Sequence, residues 1–259
     1  MEHTFYKYQG TGNDFVMIDN RQLTFDKNDT KRISMLCNRR FGVGGDGLIL
    51  LEHHLKYDFK MVYFNADGNE SSMCGNGGRC LVAFAKQLGL IRSKAVFEAI
   101  DGMHEAVIND NEVKLQMQNV TNIQRLEAGS FLDTGSPHYV TFNEQLENLD
   151  VKTVGAAIRY NENFKVKGTN VNFVKPNASG SFDVRTYERG VEDETLSCGT
   201  GVTAVALAMH NSGETDAELI TLHTKGGTLQ VAFETSNEGY KNIWLIGEAN
   251  FVFKGIISW

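Results

Sequence analysis

One cysteine-glycine motif occurs twice in this chain of 259 residues, once in each half. The first copy reads Tyr63-FNADGNESSM-Cys74-GNGGRC, and the second reads Tyr187-ERGVEDETLS-Cys198-GTGVTA. At a constant offset of 124 positions, the tyrosines, the cysteines and two glycines after each cysteine coincide. Self-similarity at an offset close to half of the chain indicates an internal duplication. Such a chain should fold into two similar halves, each with one thiol at the equivalent place.

Two further matches extend the repeat beyond the cysteines. Gly10-TGNDFV resembles Asp133-TGSPHYV at an offset of 123, and Asp46 falls opposite Asn170. Matches in the same order at nearly the same offset are typical of a duplicated fold.

The boundaries of the two halves follow from these matches. We predict an N-terminal half at residues 1–122, joined by the last strands at 247–259, which carries Cys74. The C-terminal half should comprise residues 123–246 and carry Cys198.

Each half has the pattern of short strands with two helices. Alternating apolar and polar residues predict strands at 113–117 and 229–233. Helices are expected at about 29–39 and 150–160, and two more should follow the cysteines directly. The latter two are apolar on nearly every face, which predicts that they are buried. This mixture places the chain in the α+β class.

The bulk composition excludes several classes of partner. The formal net charge is −7, and no run of lysine and arginine predicts binding to nucleic acid or to an anionic membrane. No apolar run approaches the length of a membrane span, and the N-terminal MEHTFYKYQG lacks the apolar region of a signal peptide. We therefore expect a cytoplasmic protein with four free thiols, of which Cys37 and Cys80 pack in the core.

The two motifs predict a specific chemistry. A helix N-terminus offers unpaired N–H groups and a partial positive charge, which lower the pKa of a thiol and hold a carboxylate. Two thiols on opposite sides of one carbon can invert its stereochemistry, because one removes a proton and the other returns one. The plainer reading of a single motif is a tight turn with a buried cysteine. No spacing of cysteine or histidine predicts a metal site.

Polar residues cluster in the repeated segments. They are Asn13, Asn65, Asn76, His138, Asn170, Glu188 and Arg189. Amides with one arginine and one glutamate suit a small zwitterion that carries amino and carboxylate groups. The alternative is that some asparagines are turn residues and that Glu188 and Arg189 form a surface ion pair.

These segments together resemble the diaminopimelate epimerase family. The resemblance rests on Gly10-TGNDFV, Phe64-NADGNE, Met73-CGNGGRC, Gly135-SPH, Glu188-RG and Glu194-TLSCGTG, which span almost the whole chain in the family's order. It implies an isomerase without a cofactor that interconverts LL- and meso-2,6-diaminopimelate, on the route to lysine and peptidoglycan. It also implies two curled, mostly antiparallel sheets, each around a central helix, with the active site between them, and it adds a homodimer to the expectations.

The resemblance implies a role for each matched residue. Cys74 and Cys198 look like the paired base and acid, and Glu188 and His138 resemble the residues that tune them. The residues that resemble the family's substrate-binding groups are Asn13, Asn65, Asn170, Glu188 and Arg189, with backbone donors at Gly75, Asn76, Gly199 and Thr200.

Three departures from the family pattern affect substrate contacts. Many members have asparagine where Ser136 stands and glutamine where Gly47 stands, and the stretch Gly190-VEDE is one residue longer than usual.

Other classes of function remain as alternatives. A proline or hydroxyproline racemase shares the two-thiol mechanism, but typically reads Cys-Gly-His-Gly where this chain has Cys74-GNG. A thiol–disulfide redox protein would usually place its cysteines in a local CxxC. An amino-acid binder without catalysis would need neither thiol.

Overall fold

A computed structural model describes residues 2–177 and 179–258 of the chain. The chain divides into two compact units, Met1–Leu115 with Gly247–Trp259, and Gln116–Ile246. No helix of the described residues is long and apolar enough to cross a membrane.

Within its described residues, the first unit contains two helices and eight strands. The helices are α1 (Thr30–Cys37) and α2 (Gly75–Gln87). The strands are β1 (Glu2–Gly10), β2 (Asn13–Asp19), β3 (Gly47–Glu52), β4 (Phe59–Asn65), β5 (Lys94–Ala99), β6 (Gly102–Asn109), β7 (Glu112–Gln116) and β17 (Asn250–Ser258).

The strands of the first unit form one sheet in the order β17-β1-β2-β3-β4-β5-β6-β7. The pairs β2–β3 and β4–β5 are parallel, and the other five are antiparallel. Helix α2 contacts β17 and β1 at one end of this order and β6 near the other. The sheet therefore curls around α2, whose residues from Gly75 to Ala85 are all buried. Helix α1 packs its buried Ile33 and Leu36 in a second hydrophobic cluster, on the face of the sheet opposite to α2.

The described part of the second unit also contains two α-helices and the corresponding strands. The helices are α3 (Val151–Arg159) and α4 (Gly199–Ser212), with a single 3₁₀ turn at Leu146–Asn148. The strands are β8 (Ile123–Leu126), β9 (Gly129–Asp133), β10 (Pro137–Phe142), β11 (Asn170–Pro176), β12 (Phe182–Glu188), β13 (Asp193–Thr195), β14 (Leu219–Thr224), β15 (Gly227–Ser236) and β16 (Gly239–Glu248).

The second sheet repeats the first, strand for strand. Its order is β8-β9-β10-β11-β12-β14-β15-β16, and its parallel pairs, β10–β11 and β12–β14, occupy the same places in the order. The short β13 adds a second antiparallel partner for β12. Helix α4 contacts β9, β10, β11, β12, β14 and β15 and is the central helix of this unit. The predicted fold class, a duplicated α+β fold with mostly antiparallel sheets, is confirmed.

The two units differ in the origin of one edge strand. Strand β8 directly precedes β9 in the chain, whereas its counterpart β17 returns from the C-terminus to pair with β1 from Glu2–Ser258 to Gln9–Asn250. The last segment of the chain thus completes the first sheet.

Local chemistry accounts for the helix boundaries. The Asp29 carboxylate accepts the backbone N–H of Arg32 at 3.0 Å, and that of Asp150 accepts the N–H of Thr153 at 3.1 Å. Both are side-chain N-caps of the type that favours aspartate. The four predicted helices are confirmed, and Cys74 and Cys198 are the N-cap residues of α2 and α4.

Candidate active site

In the first unit, Cys74 lies at the N-terminus of the central helix. Its backbone is extended, with φ −103° and ψ 123°, and its own side chain makes no capping hydrogen bond to the helix. The thiol is half-buried and its Sγ donates to Oδ1 of Asn13 at 3.5 Å. Nδ2 of Asn76, on the first turn of α2, donates to the same oxygen at 3.4 Å. Asn13 is therefore brought from a distant part of the sequence into one cluster with Cys74 and Asn76.

A carboxylate network fixes the amide of Asn13. Its Nδ2 donates to Oδ2 of Asp46 at 2.5 Å, and Arg39 contacts the other oxygen of Asp46 at 2.9 Å. Arg39 also makes two hydrogen bonds to Asp14. Burial alone would raise the pKa of Asp14, but the hydrogen bonds from Arg39 and Lys7 hold it below its usual value. Because a carboxylate only accepts, Nδ2 of Asn13 must face Asp46 and Oδ1 must face the thiol.

In the second unit, Cys198 has the equivalent place at the start of α4. Its backbone is again extended, with φ −130° and ψ 115°, and its half-buried Sγ lies 3.4 Å from Oγ1 of Thr200. Oγ1 of Thr200 lies 2.9 Å from Nε2 of His138 at the start of β10. The contact between Thr200 and His138 is similar to that between Asn76 and Asn13, although at the offset of 123 positions Asn13 aligns with Ser136. In each unit, the residue two positions after the cysteine bonds to a side chain from the second strand of the repeat.

The hydrogen bonds of His138 determine which ring nitrogen carries the proton. Nδ2 of Asn172 donates to the Tyr139 carbonyl at 3.3 Å, which fixes the orientation of the amide, and it also lies 3.0 Å from Nδ1 of His138. Nδ1 is therefore an acceptor, and the neutral ring carries its proton on Nε2. The imidazole is wholly buried. Burial, and secondarily the charge of Arg189, lower the pKa of His138 to about 3, so the ring is neutral near pH 7.

A directed hydrogen-bond chain follows from this tautomer. Nε2–H of His138 donates to the Thr200 hydroxyl, which leaves the hydroxyl proton to point at Sγ of Cys198. A hydroxyl that donates to sulfur stabilises the thiolate form, because hydrogen bonds to the charged form favour it. The chain runs from Asn172 through His138 and Thr200 to the thiol.

Asn170 and Arg189 lie together where β11 begins and β12 ends. Nδ2 of Asn170 donates to Oγ of Ser136 at 3.0 Å and to the Pro137 carbonyl at 3.1 Å, and its Oδ1 accepts the backbone N–H of Arg189 at 2.8 Å. Both amide hydrogens are thereby used, so this side chain can accept one further bond but not donate one. Ser136, the first departure from the family pattern, holds Asn170 in place.

The remaining predicted residues lie at the ends of equivalent strands. Asn65 is the last residue of β4 and Glu188 the last of β12. The side chain of Asn65 is exposed and Glu188 is half-buried. Nη1 of Arg189 donates to the Lys167 carbonyl at 2.9 Å and anchors the exposed guanidinium.

Steric crowding explains why glycine stands at position 47, the second departure from the family pattern. Its partner across the ladder is Asn65. A Cβ at Gly47 would lie 2.4 Å from the Phe64 carbonyl and 2.5 Å from the Tyr63 ring. No side chain fits there without displacing the end of β4.

The longer loop at residues 190–192 is held in place by hydrogen bonds to the side chain of Glu192. The Glu192 carboxylate accepts the Tyr187 hydroxyl at 2.7 Å, the Tyr160 hydroxyl at 2.9 Å and the Gly190 N–H at 2.9 Å. These bonds connect the extra residue to β12 and to the end of α3.

Sequence reasoning missed two buried polar residues of the site. Asn172 stands two positions after Asn170 on β11, and the period of two along a strand places both on one face. Arg79 lies within the Cys74 motif itself and is wholly buried. The signal that could have found Arg79 was a charged residue inside an otherwise apolar helix.

Two solved structures share this arrangement of helices and strands. A Bacillus anthracis phenazine biosynthesis protein of the PhzF family matches with a TM-score of 0.78 and 13% identity, over 100% of this chain and 99% of that one. A probable proline racemase from Agrobacterium radiobacter K84 matches with a TM-score of 0.72 and 14% identity, over 99% and 93% of the two chains. At these identities the likeness defines a class by fold alone, the duplicated α+β fold of the PhzF and proline racemase structures.

Sequence comparison narrows this class to one family. The family model of diaminopimelate epimerase matches residues 5–123 and 130–252. The diaminopimelate epimerase of Flavobacterium psychrophilum is 56% identical over 253 residues, which cover 97% of this chain and 99% of that relative. That of Chlorobaculum tepidum is 44% identical over 258 residues, or 96% and 99% of the two chains. The chain belongs to the diaminopimelate epimerase family.

Proposed function

We propose that this protein is an isomerase that interconverts LL- and meso-2,6-diaminopimelate without a cofactor, as a step toward lysine and peptidoglycan. Membership of the family supports the substrate. The observation that carries the chemistry is that each unit has a half-buried thiol as the N-cap of its central helix. The four cysteines are free thiols, which agrees with our proposal that the enzyme acts in the reducing cytoplasm.

In the proposed reaction, Cys74 and Cys198 exchange one proton each with the α-carbon. One thiolate removes the α-proton from one face, and the other thiol donates a proton to the opposite face. The reaction leaves the first sulfur protonated and the second ionised, so the reverse reaction uses the same groups. This mechanism requires both thiols to reach a single substrate carbon.

The central helices stabilise the intermediate. Loss of the α-proton places negative charge on the adjacent carboxylate. The backbone N–H groups of Gly75–Asn76 and Gly199–Thr200 lie in the first turns of α2 and α4, where N–H groups lack partners within the helix. Two helix N-termini directed at one carboxylate would supply donors and favourable dipoles where charge develops.

The distal end of the substrate needs different groups. We assign Asn13, Asn65, Asn170, Glu188 and Arg189 to substrate binding and to the second amino and carboxylate groups. Arg189 presents a planar donor for a carboxylate, and the remaining acceptor capacity of Asn170 suits an ammonium group. We also propose that Glu188 and His138 tune the catalytic groups, His138 through Thr200.

Solvent isotope incorporation tests the function. Incubation of the enzyme with LL-diaminopimelate in deuterated water should yield meso product with one deuterium at the inverted α-carbon, as read by chiral chromatography and mass spectrometry. A transfer that needs no cofactor should proceed at an undiminished rate after dialysis against chelator. Proline serves as the competing substrate, because it lacks the second charged end. Inversion of proline at a comparable rate, with no reaction of diaminopimelate, would refute the assignment.

We further propose a homodimer that uses the edge strand β17. Val252 and Ile256 on this strand expose 52% and 66% of their surface, and Phe251 and Phe253 are also partly exposed. A row of apolar side chains on an edge strand favours pairing with a second chain. Sedimentation equilibrium should give twice the chain mass, and Val252→Lys with Ile256→Lys should shift it to the monomer. A wild-type monomer at micromolar concentration would contradict the proposal.

A further inference from the structure

Asp46, which directly precedes β3, links a surface ion-pair network to the first thiol. Its Oδ2 accepts hydrogen bonds from Nδ2 of Asn13 at 2.5 Å and from the backbone N–H of Asp14 at 3.2 Å. Its Oδ1 accepts one from Nη2 of Arg39 at 2.9 Å. Both carboxylate oxygens therefore face donors, and Asn13 can present only its Nδ2 to this carboxylate. The other end of that amide, Oδ1, faces Sγ of Cys74.

The orientation of this amide determines the direction of its contact with the thiol. Oδ1 of Asn13 carries no hydrogen, so Sγ of Cys74 is the donor in the 3.5 Å contact. Nδ2 of Asn76 donates to the same oxygen at 3.4 Å, which supports the same orientation. A hydrogen bond donated by the neutral thiol disfavours the thiolate, because ionisation removes the donated proton. The contact with Asn13 therefore favours the protonated form of Cys74.

The amide of Asn13 transmits this effect more strongly than the bare charge of Asp46 can. The side chain of Asp46 is 43% exposed, and water and salt screen the direct field of an exposed carboxylate. The hydrogen bond from Cys74 to Asn13 acts at contact distance and exists only while the sulfur keeps its proton. Asp46 thus influences the thiol mainly by fixing which end of the amide faces it.

A transfer between two thiols requires one sulfur with a proton and one without. Cys74 and Cys198 are both N-cap residues of central helices, and helix N-termini favour thiolates. At Cys198, the hydroxyl proton of Thr200 points at the sulfur and favours the anion further. A group that opposes ionisation at Cys74 therefore preserves a proton donor within the pair.

We propose that Asp46 is a positioning residue that orients the amide of Asn13 and thereby raises the pH at which Cys74 ionises, so that a proton donor persists in the free enzyme. The ionisation of Cys74 is a property of the free protein. Only its role as proton donor rests on the proposed function.

Other charged groups around α2 set the background for this effect. Arg79 of the same helix is wholly buried, donates to Oγ1 of Thr11 in the turn between β1 and β2 at 3.0 Å, and favours the anion at Cys80 and Cys74. Burial raises the pKa of Cys80 to about 12, so this thiol stays neutral at pH 7. Tyr8 on β1 also stays neutral, because burial raises its pKa.

The remaining titratable groups near α2 lie on the strands packed against it or on the segment before Cys74. Lys7 pairs with Asp14, Glu52 pairs with Lys27, His104 pairs with Asp101, Lys254 lies over the Tyr6 ring, and Asp67 and Glu70 are exposed. These groups are the same in the wild type and in Asp46→Asn, so the difference between the two proteins reports the change at Asp46.

Thiol alkylation without substrate tests the inference. The rate of iodoacetamide modification of Cys74 is measured from pH 5 to pH 10 by peptide mass spectrometry, in the wild type and in Asp46→Asn. The new side chain has one oxygen, which Arg39 attracts, so its NH2 group turns toward Asn13 and favours the reversed orientation of that amide. The midpoint of the Cys74 profile should then fall by about one pH unit, because a donor to the thiolate replaces an acceptor from the thiol.

Arg39→Met is the second variant and should act in the opposite direction. It removes the cation that offsets Asp46 and leaves the carboxylate bonded to Asn13, so the midpoint of the Cys74 profile should rise. A loosened structure would move both variants the same way. Shifts of the same sign in the two variants would therefore refute the proposal. If Asp46→Asn does not fold, Arg39→Met decides alone, and a midpoint that does not rise refutes it.

Asp67→Asn is the matched control. It removes one exposed carboxylate from the same unit, but the hydrogen bonds of Asp67 go to Asn69. Its Cys74 profile should equal that of the wild type, and the Cys198 profile should be unaltered in every variant. An unaltered Cys74 profile in folded Asp46→Asn, or an equal shift in Asp67→Asn, overturns the proposal.

The pH dependence of kcat/KM provides a second readout. Its alkaline limb reports loss of the proton donor, so this limb should move to lower pH in Asp46→Asn while the acid limb stays in place. Movement of both limbs, or of neither, contradicts the assigned role. Failure of the alkylation result leaves the deuterium experiment unaffected, so the two proposals are judged separately.

Discussion

Cys74→Ala and Cys198→Ala should each lower the rate of epimerisation at least about 1,000-fold, which corresponds to about 4 kcal/mol of lost transition-state stabilisation. Each reaction needs one proton removed and one returned, and alanine abolishes one of these transfers. Cys→Ser should also be severely impaired, because a hydroxyl is a far weaker acid than a thiol and offers almost no anion near pH 7. The measurement is kcat/KM in both directions with purified variants.

Cys37→Ala is the matched control for these variants. Cys37 is also a free thiol, but it is buried at the end of α1, and burial raises its pKa to about 12. Its replacement should cost some stability through the cavity that it leaves and should not change kcat/KM of the folded enzyme. A variant lacking Cys74 or Cys198 that retained more than a few per cent of the wild-type rate would show that the two-thiol mechanism is wrong.

Thr200→Val should lower kcat by about 10- to 100-fold, or about 1.4–3 kcal/mol, with a smaller change in KM. Valine has nearly the shape of threonine, but it cannot accept from His138 or donate to Sγ of Cys198. The loss should fall on the state in which Cys198 is ionised, because a hydrogen bond to an anion is stronger than one to a neutral group. The pH dependence of Cys198 alkylation should therefore shift to higher pH.

Two variants isolate the role of the hydroxyl. Thr200→Ser keeps it and should retain most of the activity. Thr203→Val removes a buried hydroxyl from the same helix that donates only to a backbone carbonyl, so it should leave the Cys198 profile unchanged. Equal effects of Thr200→Val and Thr203→Val would mean that the hydrogen-bond chain from His138 does not act on the thiol.

The repeat made much of the fold accessible to sequence reasoning. The 124-residue offset predicted two similar units, and the apolar segments after the cysteines predicted the central helices. Glycines after each cysteine indicated where those helices begin. These features depend on local chemistry and on periodicity, which can be read from residues that are neighbours in the sequence.

Side-chain contacts were less accessible. Asn13 was predicted as a substrate-binding residue, but the structure also places its amide on Cys74 and Asp46. Asn170 was predicted for the same role, and the structure uses both of its amide hydrogens within the unit. The sequence indicated only that Gly47 lacks the side-chain contact that glutamine makes in many family members. The structure shows that the backbone leaves no room for a side chain at this position.

The sequence by itself determined the duplicated α+β fold and the place of one thiol at a helix start in each unit. Only the tertiary structure decided the protonated nitrogen of His138, the hydrogen bond from Thr200 to Cys198, and the burial of Arg79 beneath the β1–β2 turn. The physical reason is that a pKa and a hydrogen-bond direction depend on groups distant in sequence. Such groups meet only when the sheet curls around its helix.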